Sequence, residues 1–146
     1  MFAGTANANG PARPFRPYKG VGIAQTSLVP HPTRPAPWLL FTATEIGQYT
    51  HMGRATVVTM KADFNPLAVA VENGVSAATA ADKSKAFSTW FGGLGPDGRF
   101  VGTVTWSGGT KRFKYIQGTS TFISTPIGPP ETTNIFRNDH SGRVSY

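Results

Sequence analysis

The chain has 146 residues, a length that fits one domain with a sizeable hydrophobic core. It contains 17 glycines and 12 prolines, and only 14% of its residues are charged, so the composition favours strands and turns over helices. Because the chain has no cysteine, disulfide bonds, thiolate metal sites and a cysteine nucleophile are excluded. No apolar run reaches the roughly 20 residues that a membrane-spanning helix needs, which predicts a soluble protein without a membrane partner.

Positive charge is in excess, with 14 lysines and arginines giving a net charge of +7. Such an excess favours polyanionic partners such as nucleic acid. The basic residues are dispersed, however, and the group Lys111, Arg112 and Lys114 is too short to form a nucleic-acid surface with its neighbouring aromatic residues. We therefore expect the charge to serve solubility, and we do not expect a nucleic-acid partner.

The N-terminal residues 1–17 predict an extended, proline-rich arm, because Pro11, Pro14 and Pro17 forbid a helix. From residue 18 to residue 146, short apolar–polar alternations separated by turn residues predict one domain of roughly eight strands. The predicted strands lie at 18–29, 38–49, 54–60, 67–71, 75–80, 86–91, 100–106, 119–125 and 143–146, with 113–117 as a short helical turn or a further strand. This spacing is typical of an antiparallel barrel or sandwich.

Turn residues mark where these strands end. Four prolines in Pro30–Pro37 predict a rigid external loop, because proline cannot donate to a strand ladder. The pair Asn73-Gly74 predicts a hairpin or a bulge. His31 and His140 fall in segments without alternation, so we expect both to be loop residues.

Two glycine-containing segments, Thr50–Arg54 and Ser107–Phe113, each end one strand-like run and begin the next. They predict corners where strands of a barrel reverse, with His51 and Arg112 fixing the backbone. Together with the Ala81–Lys83 turn and the terminal Gly142-x-Val144-Ser145-Tyr146, they resemble the allene-oxide-cyclase-like, calycin-type barrel proteins of bacteria. The resemblance covers residues 18–146.

The resemblance implies an antiparallel, eight-stranded, calycin-like barrel that is often oligomeric and often exported. Plant cyclases with this fold isomerise a fatty-acid epoxide, and related barrels in polyketide pathways close rings within an apolar cavity. No activity follows from membership alone, since one fold hosts many functions. The start of the chain has no basic stretch followed by an apolar one, so no signal peptide is predicted and the compartment stays open.

Glu45 is the candidate catalytic residue, because it shares a strand face with Phe41 and Ala43 and would point into the barrel. A carboxylate in an apolar cavity would have a raised pKa and could polarise or protonate a bound substrate. The alternative is a solvated Glu45 that pairs with Arg54 across the following hairpin. Neither reading requires a metal, and no histidines and carboxylates have metal-ligand spacing, so no metal or cofactor is predicted.

Aromatic residues are the candidate ligand-binding groups of a hollow barrel. The candidates are Phe41, Phe87, Trp90, Trp106 and Phe122. The alternative is that these side chains fill the barrel as its core.

The functional hypothesis is a non-enzymatic β-barrel module for self-association or structural assembly through its surface and N-terminal arm. This predicts a homo-oligomer, since an extended arm can add to a neighbouring sheet. The alternative is a cyclase or isomerase, or a carrier, that acts on a small apolar molecule in the barrel cavity. Both alternatives require a void inside the barrel, and the enzyme also requires Glu45 to face it.

Overall fold

The computed structural model describes residues 13–146 and shows an all-β protein in which eight antiparallel strands close one barrel. The strands are β1 (Arg16–Pro30), β2 (Leu39–Tyr49), β3 (Gly53–Asn65), β4 (Ala70–Ala80), β5 (Lys85–Leu94), β6 (Phe100–Gly109), β7 (Gln117–Pro126) and β8 (Ile135–Ser145). Each strand pairs with the next along the chain, and β8 pairs with β1, so the sheet has no free edge. The predicted all-β, eight-stranded barrel is confirmed.

One end of the barrel is closed by its own turns. The connections β2–β3, β4–β5 and β6–β7 lie at this end, and the last of them includes a 3₁₀ helix, Lys111–Phe113. Met52, Phe113 and Ile116 from these connections are at most 3% exposed and belong to the core cluster. Since large apolar side chains occupy this end, any ligand has to enter from the opposite one.

The two sequence motifs meet at this closed end. His51 has a φ of 73°, and its Nε2 lies 3.0 Å from the carbonyl oxygen of Pro17. Arg112 donates to the carbonyl oxygen of His51 at 2.5 Å and to the Asp82 carboxylate at 2.8 Å. Hydrogen bonds from the Ser84 backbone and from Arg112 lower the pKa of Asp82 to about 2. The predicted backbone-fixing roles of His51 and Arg112 are confirmed.

The other end of the barrel is formed by the longer connections β1–β2, β3–β4, β5–β6 and β7–β8. In the proline-rich loop, Nδ1 of His31 accepts hydrogen bonds from the backbone N–H groups of Thr33 and Arg34, so its Nε2 donates to Asp63 at 2.7 Å. Arg34 also bonds Asp63 and lies 3.3 Å from the centre of the Trp38 ring. These contacts hold the loop against β3.

Several strand boundaries differ from the sequence prediction, and β3 continues to Asn65, beyond its predicted end at residue 60. Asn73-Gly74 forms the bulge that was one of its two predicted forms, because Asn73 adopts a φ of 57° and the register shifts beside it, so the strands predicted at 67–71 and 75–80 are one strand, β4. β5 continues through Gly92 and Gly93 to Leu94, beyond the predicted end of this strand at residue 91. β8 begins at Ile135, so the strand predicted at 143–146 is only its last part.

The N-terminal arm is only partly described. β1 begins at Arg16, so Arg16 and Pro17 pair with β8 although the sequence analysis placed them in the arm. The rest of the predicted arm, apart from residues 13–15, lies outside the described residues. Within residues 13–146, no helix has the length and hydrophobicity that crossing a bilayer requires.

Candidate functional site

A cavity of about 750 Å³ lies inside the barrel and reaches the end formed by the long connections. It exists because small side chains occupy inward positions on several strands, where larger ones would fill an eight-stranded barrel. Examples are Ala24 on β1, Ala43 on β2, Ser76 on β4 and Ser88 on β5. Charged residues at the mouth, Asp97 and Arg99 among them, come from the β5–β6 connection.

Four of the five predicted aromatic residues line this cavity. They are Phe41, Trp90, Trp106 and Phe122. Trp90 is central to the wall, because its ring packs edge-on against Phe41 at 5.8 Å and against Phe122 at 5.5 Å between ring centres. Such edge-to-face packing keeps the rings in fixed positions around the void.

Phe87, the fifth, does not line the cavity. Its side chain is on the outer face of β5 and is 41% exposed. The strand alternation explains this, because Ala86, Ser88 and Trp90 face inward and their neighbours face outward. Phe87 and Trp90 lie three positions apart, an odd number, so their side chains are on opposite faces of the strand.

Glu45 is buried, at 6% exposure, and faces the cavity. Its Oε2 accepts hydrogen bonds from the Tyr49 hydroxyl at 2.5 Å and from Nε2 of His140 at 2.7 Å. Its Oε1 accepts a hydrogen bond from the Asn138 amide at 2.6 Å. Arg54, the alternative partner from the sequence analysis, is exposed on the surface. The carboxylate is therefore held by donors inside the barrel.

The pKa of Glu45 lies below its ordinary value. Burial alone would raise this pKa, but the hydrogen bond and electrostatic attraction of His140, together with the hydrogen bonds from Tyr49 and Asn138, outweigh it. The predicted raised pKa is wrong, because burial is only one of the effects on Glu45 and the three donors outweigh it. A pKa below the ordinary value favours the anionic form of Glu45 at neutral pH.

The hydroxyl groups beside Glu45 keep their protons. Burial, followed by the negative charge of Glu45, raises the pKa of Tyr18 and of Tyr49 far above the usual range. The two tyrosine rings are stacked, with 6.4 Å between their centres. Tyr18 lines the cavity, whereas Tyr49 lies beneath Glu45 and donates to it.

Asn138 and His140 are the other two donors to Glu45, and a further hydrogen bond fixes the orientation of Asn138. The hydroxyl of Ser124 bonds the amide oxygen of Asn138, which directs the amide nitrogen to Glu45. His140 directs Nε2 to Glu45, while its Nδ1 is buried and has no hydrogen-bond partner within residues 13–146. Hydrogen bonds therefore hold Glu45 and Asn138 in place, and His140 is held through Nε2 alone.

Glycines on the inner face of β1 and β2 make room for the cluster. A Cβ atom at Gly22 would lie 2.6 Å from the Tyr49 hydroxyl oxygen and would also meet the Glu45 carboxylate. At Gly47 a Cβ atom would lie 2.6 Å from the same hydroxyl oxygen. Only glycine permits the carboxylate and the phenol to lie flat against the sheet here.

Several residues of this cluster were not predicted from the sequence. Tyr18, Tyr49 and Asn138 were not singled out, and His140 was predicted to be a loop residue. A signal was present, because Asn138 and His140 alternate in phase with Val144 and so share its face of β8. The glycines Gly20 and Gly22, in phase with Tyr18, were a second signal of close approach on an inner face.

Comparisons with protein-family models, with curated proteins and with solved structures find no match to this chain. The resemblance to allene-oxide-cyclase-like barrels therefore stays a prediction based on the motifs. Within the described part of the chain, no group of three histidines or carboxylates is placed to hold a metal ion. The fold and the site define a closed eight-stranded β-barrel with an aromatic-lined cavity and one buried, hydrogen-bonded carboxylate.

Proposed function

We propose that this protein binds a small, largely apolar molecule inside its barrel, with the polar end of the molecule directed toward the Glu45 cluster. The main support is the cavity of about 750 Å³. This volume lies within the roughly 300–1,000 Å³ that is common for small-molecule sites. Its wall combines aromatic and aliphatic side chains with a few polar groups, which is the usual composition of such sites.

The buried carboxylate of Glu45 supports the proposed orientation of the ligand, with its polar end toward the cluster. Burying an ion requires several donors to offset its lost hydration, and an apolar filling of the same space would avoid that cost. The cluster of Glu45, Asn138 and His140 lies on the cavity wall, where it can contact a bound molecule. An apolar cavity with one polar cluster suits a carrier protein and an isomerase alike. In an isomerase or cyclase, an anionic Glu45 would stabilise positive charge on the reactant or on His140.

Filling the cavity tests this proposal. Ala43→Phe adds a ring on the inner face of β2, and Thr44→Phe adds the same ring on the outer face as a matched control. We expect Ala43→Phe to bind the neutral, polarity-sensitive dye Nile red about tenfold more weakly than wild type, because the ring occupies the void. Fluorescence titration measures the affinity, and circular dichroism confirms that both variants are folded. Equal affinity in the two variants would contradict cavity binding.

We infer self-association as a second candidate function, supported by an apolar patch on the outer barrel face. The patch consists of Val21, Ile23, Ile46, Val58 and Met60, which are 38% to 52% exposed. Ile23 and Ile46 are direct partners across β1 and β2, so the apolar surface is continuous between the strands. Exposed apolar clusters of this kind favour a protein contact, and a second copy of the chain is the partner expected from the sequence hypothesis.

The mass of the protein in solution tests this second candidate. We expect Ile46→Asp to convert an oligomer to a monomer in light scattering, because a charge in an apolar contact is costly. Phe91→Asp is the control, since Phe91 is 59% exposed on β5. Deleting residues 1–12 tests the arm separately, without removing any of β1. A mass that is unchanged in Ile46→Asp excludes this patch as the contact.

A further inference from the structure

Basic residues that are dispersed along the sequence are gathered at the closed end of the barrel. The start of β1, the connections β2–β3, β4–β5 and β6–β7 with their adjoining strand ends, and the end of β8 form this end. Ten of the 14 lysines and arginines lie there: Arg13, Arg16, Lys19, Arg54, Lys83, Lys85, Lys111, Arg112, Lys114 and Arg143. Residues 1–12 contain no lysine, arginine, aspartate or glutamate, so they do not alter this balance.

Most of the positive charge at the closed end has no carboxylate partner. Asp82 is the one acidic residue of the described chain at this end, and it pairs with Arg112 at 2.8 Å. The other basic residues of this end make no salt bridge within residues 13–146. Away from this end, Arg34, Arg99 and Arg137 are each paired with a carboxylate. Unpaired like charges at one end produce a positive potential that attracts polyanions.

The basic residues surround the closed end and do not follow one groove. They come from β1, the start of β3, the β4–β5 and β6–β7 connections and β8, and these elements succeed one another around the closed barrel. All of them except Arg13 are exposed. A flat anionic surface can contact such an end on every side at once, whereas one nucleic-acid strand would contact only part of it.

The aromatic side chains at this end contact the protein's own basic residues. The centre of the Tyr115 ring lies 5.3 Å from the guanidinium carbon of Arg13 and 5.4 Å from Nζ of Lys114. The centre of the Tyr146 ring lies 5.8 Å from the guanidinium carbon of Arg16. Proteins that bind single-stranded nucleic acid combine a basic groove with aromatic faces on which bases stack. The arrangement here favours a surface of phosphates without bases.

We propose that the closed end of the barrel binds the surface of an anionic lipid bilayer, with the lysine and arginine side chains contacting lipid headgroups. Juxtaposed basic residues bind such surfaces by electrostatic attraction, and several acting together give a measurable affinity. The inference does not depend on the proposed function, because the cavity reaches the opposite end of the barrel. In this orientation the mouth of the cavity faces away from the bilayer.

Cosedimentation of the wild-type protein with lipid vesicles tests the proposal. Vesicles of phosphatidylcholine containing about one-third phosphatidylserine are compared with vesicles of phosphatidylcholine alone, and we expect at least about tenfold tighter binding to the anionic vesicles. Raising the ionic strength from about 0.1 M to about 1 M should release the protein, because the Debye length falls from about 10 Å to about 3 Å. Equal binding to both kinds of vesicle, or binding that salt does not weaken, would overturn the proposal.

A triple variant assigns the binding to the closed end. Lys19→Gln, Arg54→Gln and Lys83→Gln together remove three charges from different sides of this end. The three side chains are exposed and make no hydrogen bond or salt bridge within residues 13–146. We expect this variant to bind anionic vesicles about a hundredfold more weakly than wild type, since each basic residue near an anionic surface contributes about fivefold in affinity.

The control variant removes the same number of charges away from the closed end. It combines Lys61→Gln, Arg99→Gln and Arg137→Gln, which are exposed substitution sites on other parts of the barrel. Both variants have the same net charge, so we expect the control to stay within about threefold of the wild-type affinity. Equal loss of affinity in the two variants would mean that net charge alone drives binding and would overturn the proposal. Circular dichroism checks folding, and the lipid and salt comparisons on the wild type decide even if a variant is unfolded.

Nucleic acid is the alternative polyanion, and a competition experiment separates the two. Mixed-sequence duplex DNA and single-stranded RNA are each added to the protein and anionic vesicles, at a phosphate concentration equal to that of the anionic lipid. We expect most of the protein to stay with the vesicles. Either nucleic acid binding as tightly as the vesicles, or more tightly, would overturn the assignment to a lipid surface.

Discussion

Substitution of Glu45 by alanine is expected to lower the free energy of unfolding by about 4 kcal/mol, one of the two largest single-residue effects that we predict. The physical reason is that Tyr49, Asn138 and His140 all donate to this carboxylate inside the barrel. Without it, buried donors lose their acceptor, and each unpaired group costs about 1–3 kcal/mol. Urea unfolding followed by circular dichroism measures the change.

Glu131→Ala is the matched control, because Glu131 is exposed on the β7–β8 connection. We expect this control to change the free energy of unfolding by less than about 0.5 kcal/mol. Equal stability of the two variants would contradict a structural role of the buried carboxylate.

The free energy of unfolding of wild type minus that of Glu45→Ala, measured against pH, tests the direction of the Glu45 pKa shift. The folded pKa lies below the unfolded value of 4.5, so the stabilisation by Glu45 is complete above that value and is lost as the pH falls through the folded pKa. The difference between wild type and Glu45→Ala should therefore shrink as the pH falls below about 4.5, through the folded pKa of Glu45. A difference that grows on acidification would indicate the raised pKa of an unpaired buried carboxylate.

Gly22→Ala is expected to lower the free energy of unfolding by about 3 kcal/mol. The added methyl group would meet the Glu45 carboxylate and lie 2.6 Å from the Tyr49 hydroxyl oxygen. Neither group can move away easily, because Glu45 is bonded to β8 and the Tyr49 ring stacks on Tyr18. Chemical denaturation measures the loss, and a shift of tryptophan fluorescence reports disturbance near Trp106.

Gly93→Ala provides the matched control for this substitution. A Cβ atom at Gly93 would have no neighbour closer than the carbonyl oxygen of Val69, at 4.0 Å. We expect a change of less than about 0.5 kcal/mol there. Similar destabilisation by the two alanines would mean that glycine serves backbone conformation and not the packing of Tyr49 and Glu45.

Much of the barrel could be predicted from local patterns, because alternation and turn residues act within a few positions. The proline-rich segment Pro30–Pro37 and the corner at His51 are examples. β8 was largely missed because its inward residues Asn138 and His140 are polar. They face the carboxylate of Glu45 instead of an apolar core, so the strand lacks the apolar alternation by which strands are recognised. The pairing of β8 with β1 that makes it a strand is a long-range effect of barrel closure.

The site was predictable only in part for the same reason. Strand parity placed Glu45 on the inner face, but its pKa depends on partners that lie 93 and 95 residues further along the chain. The residues near Glu45 in the sequence do not indicate these distant contacts. The prediction of its pKa therefore included only the effect of burial. Parity could have separated Phe87 from Trp90, and the phase of Gly22 with Ala24 could have revealed the packing space beside Glu45.

Methyl NMR of the alanine- and isoleucine-labelled protein, titrated with decanol, tests the central claim that the barrel cavity is a ligand site. Ala24 and Ala43 line the cavity, whereas Ile23, next to Ala24 in sequence, and its register partner Ile46 are exposed on the outer face. We predict saturable shifts of the Ala24 and Ala43 methyl signals, with those of Ile23 and Ile46 unchanged. Shifts of the isoleucine signals alone, or no shift of the alanine signals, would contradict the claim.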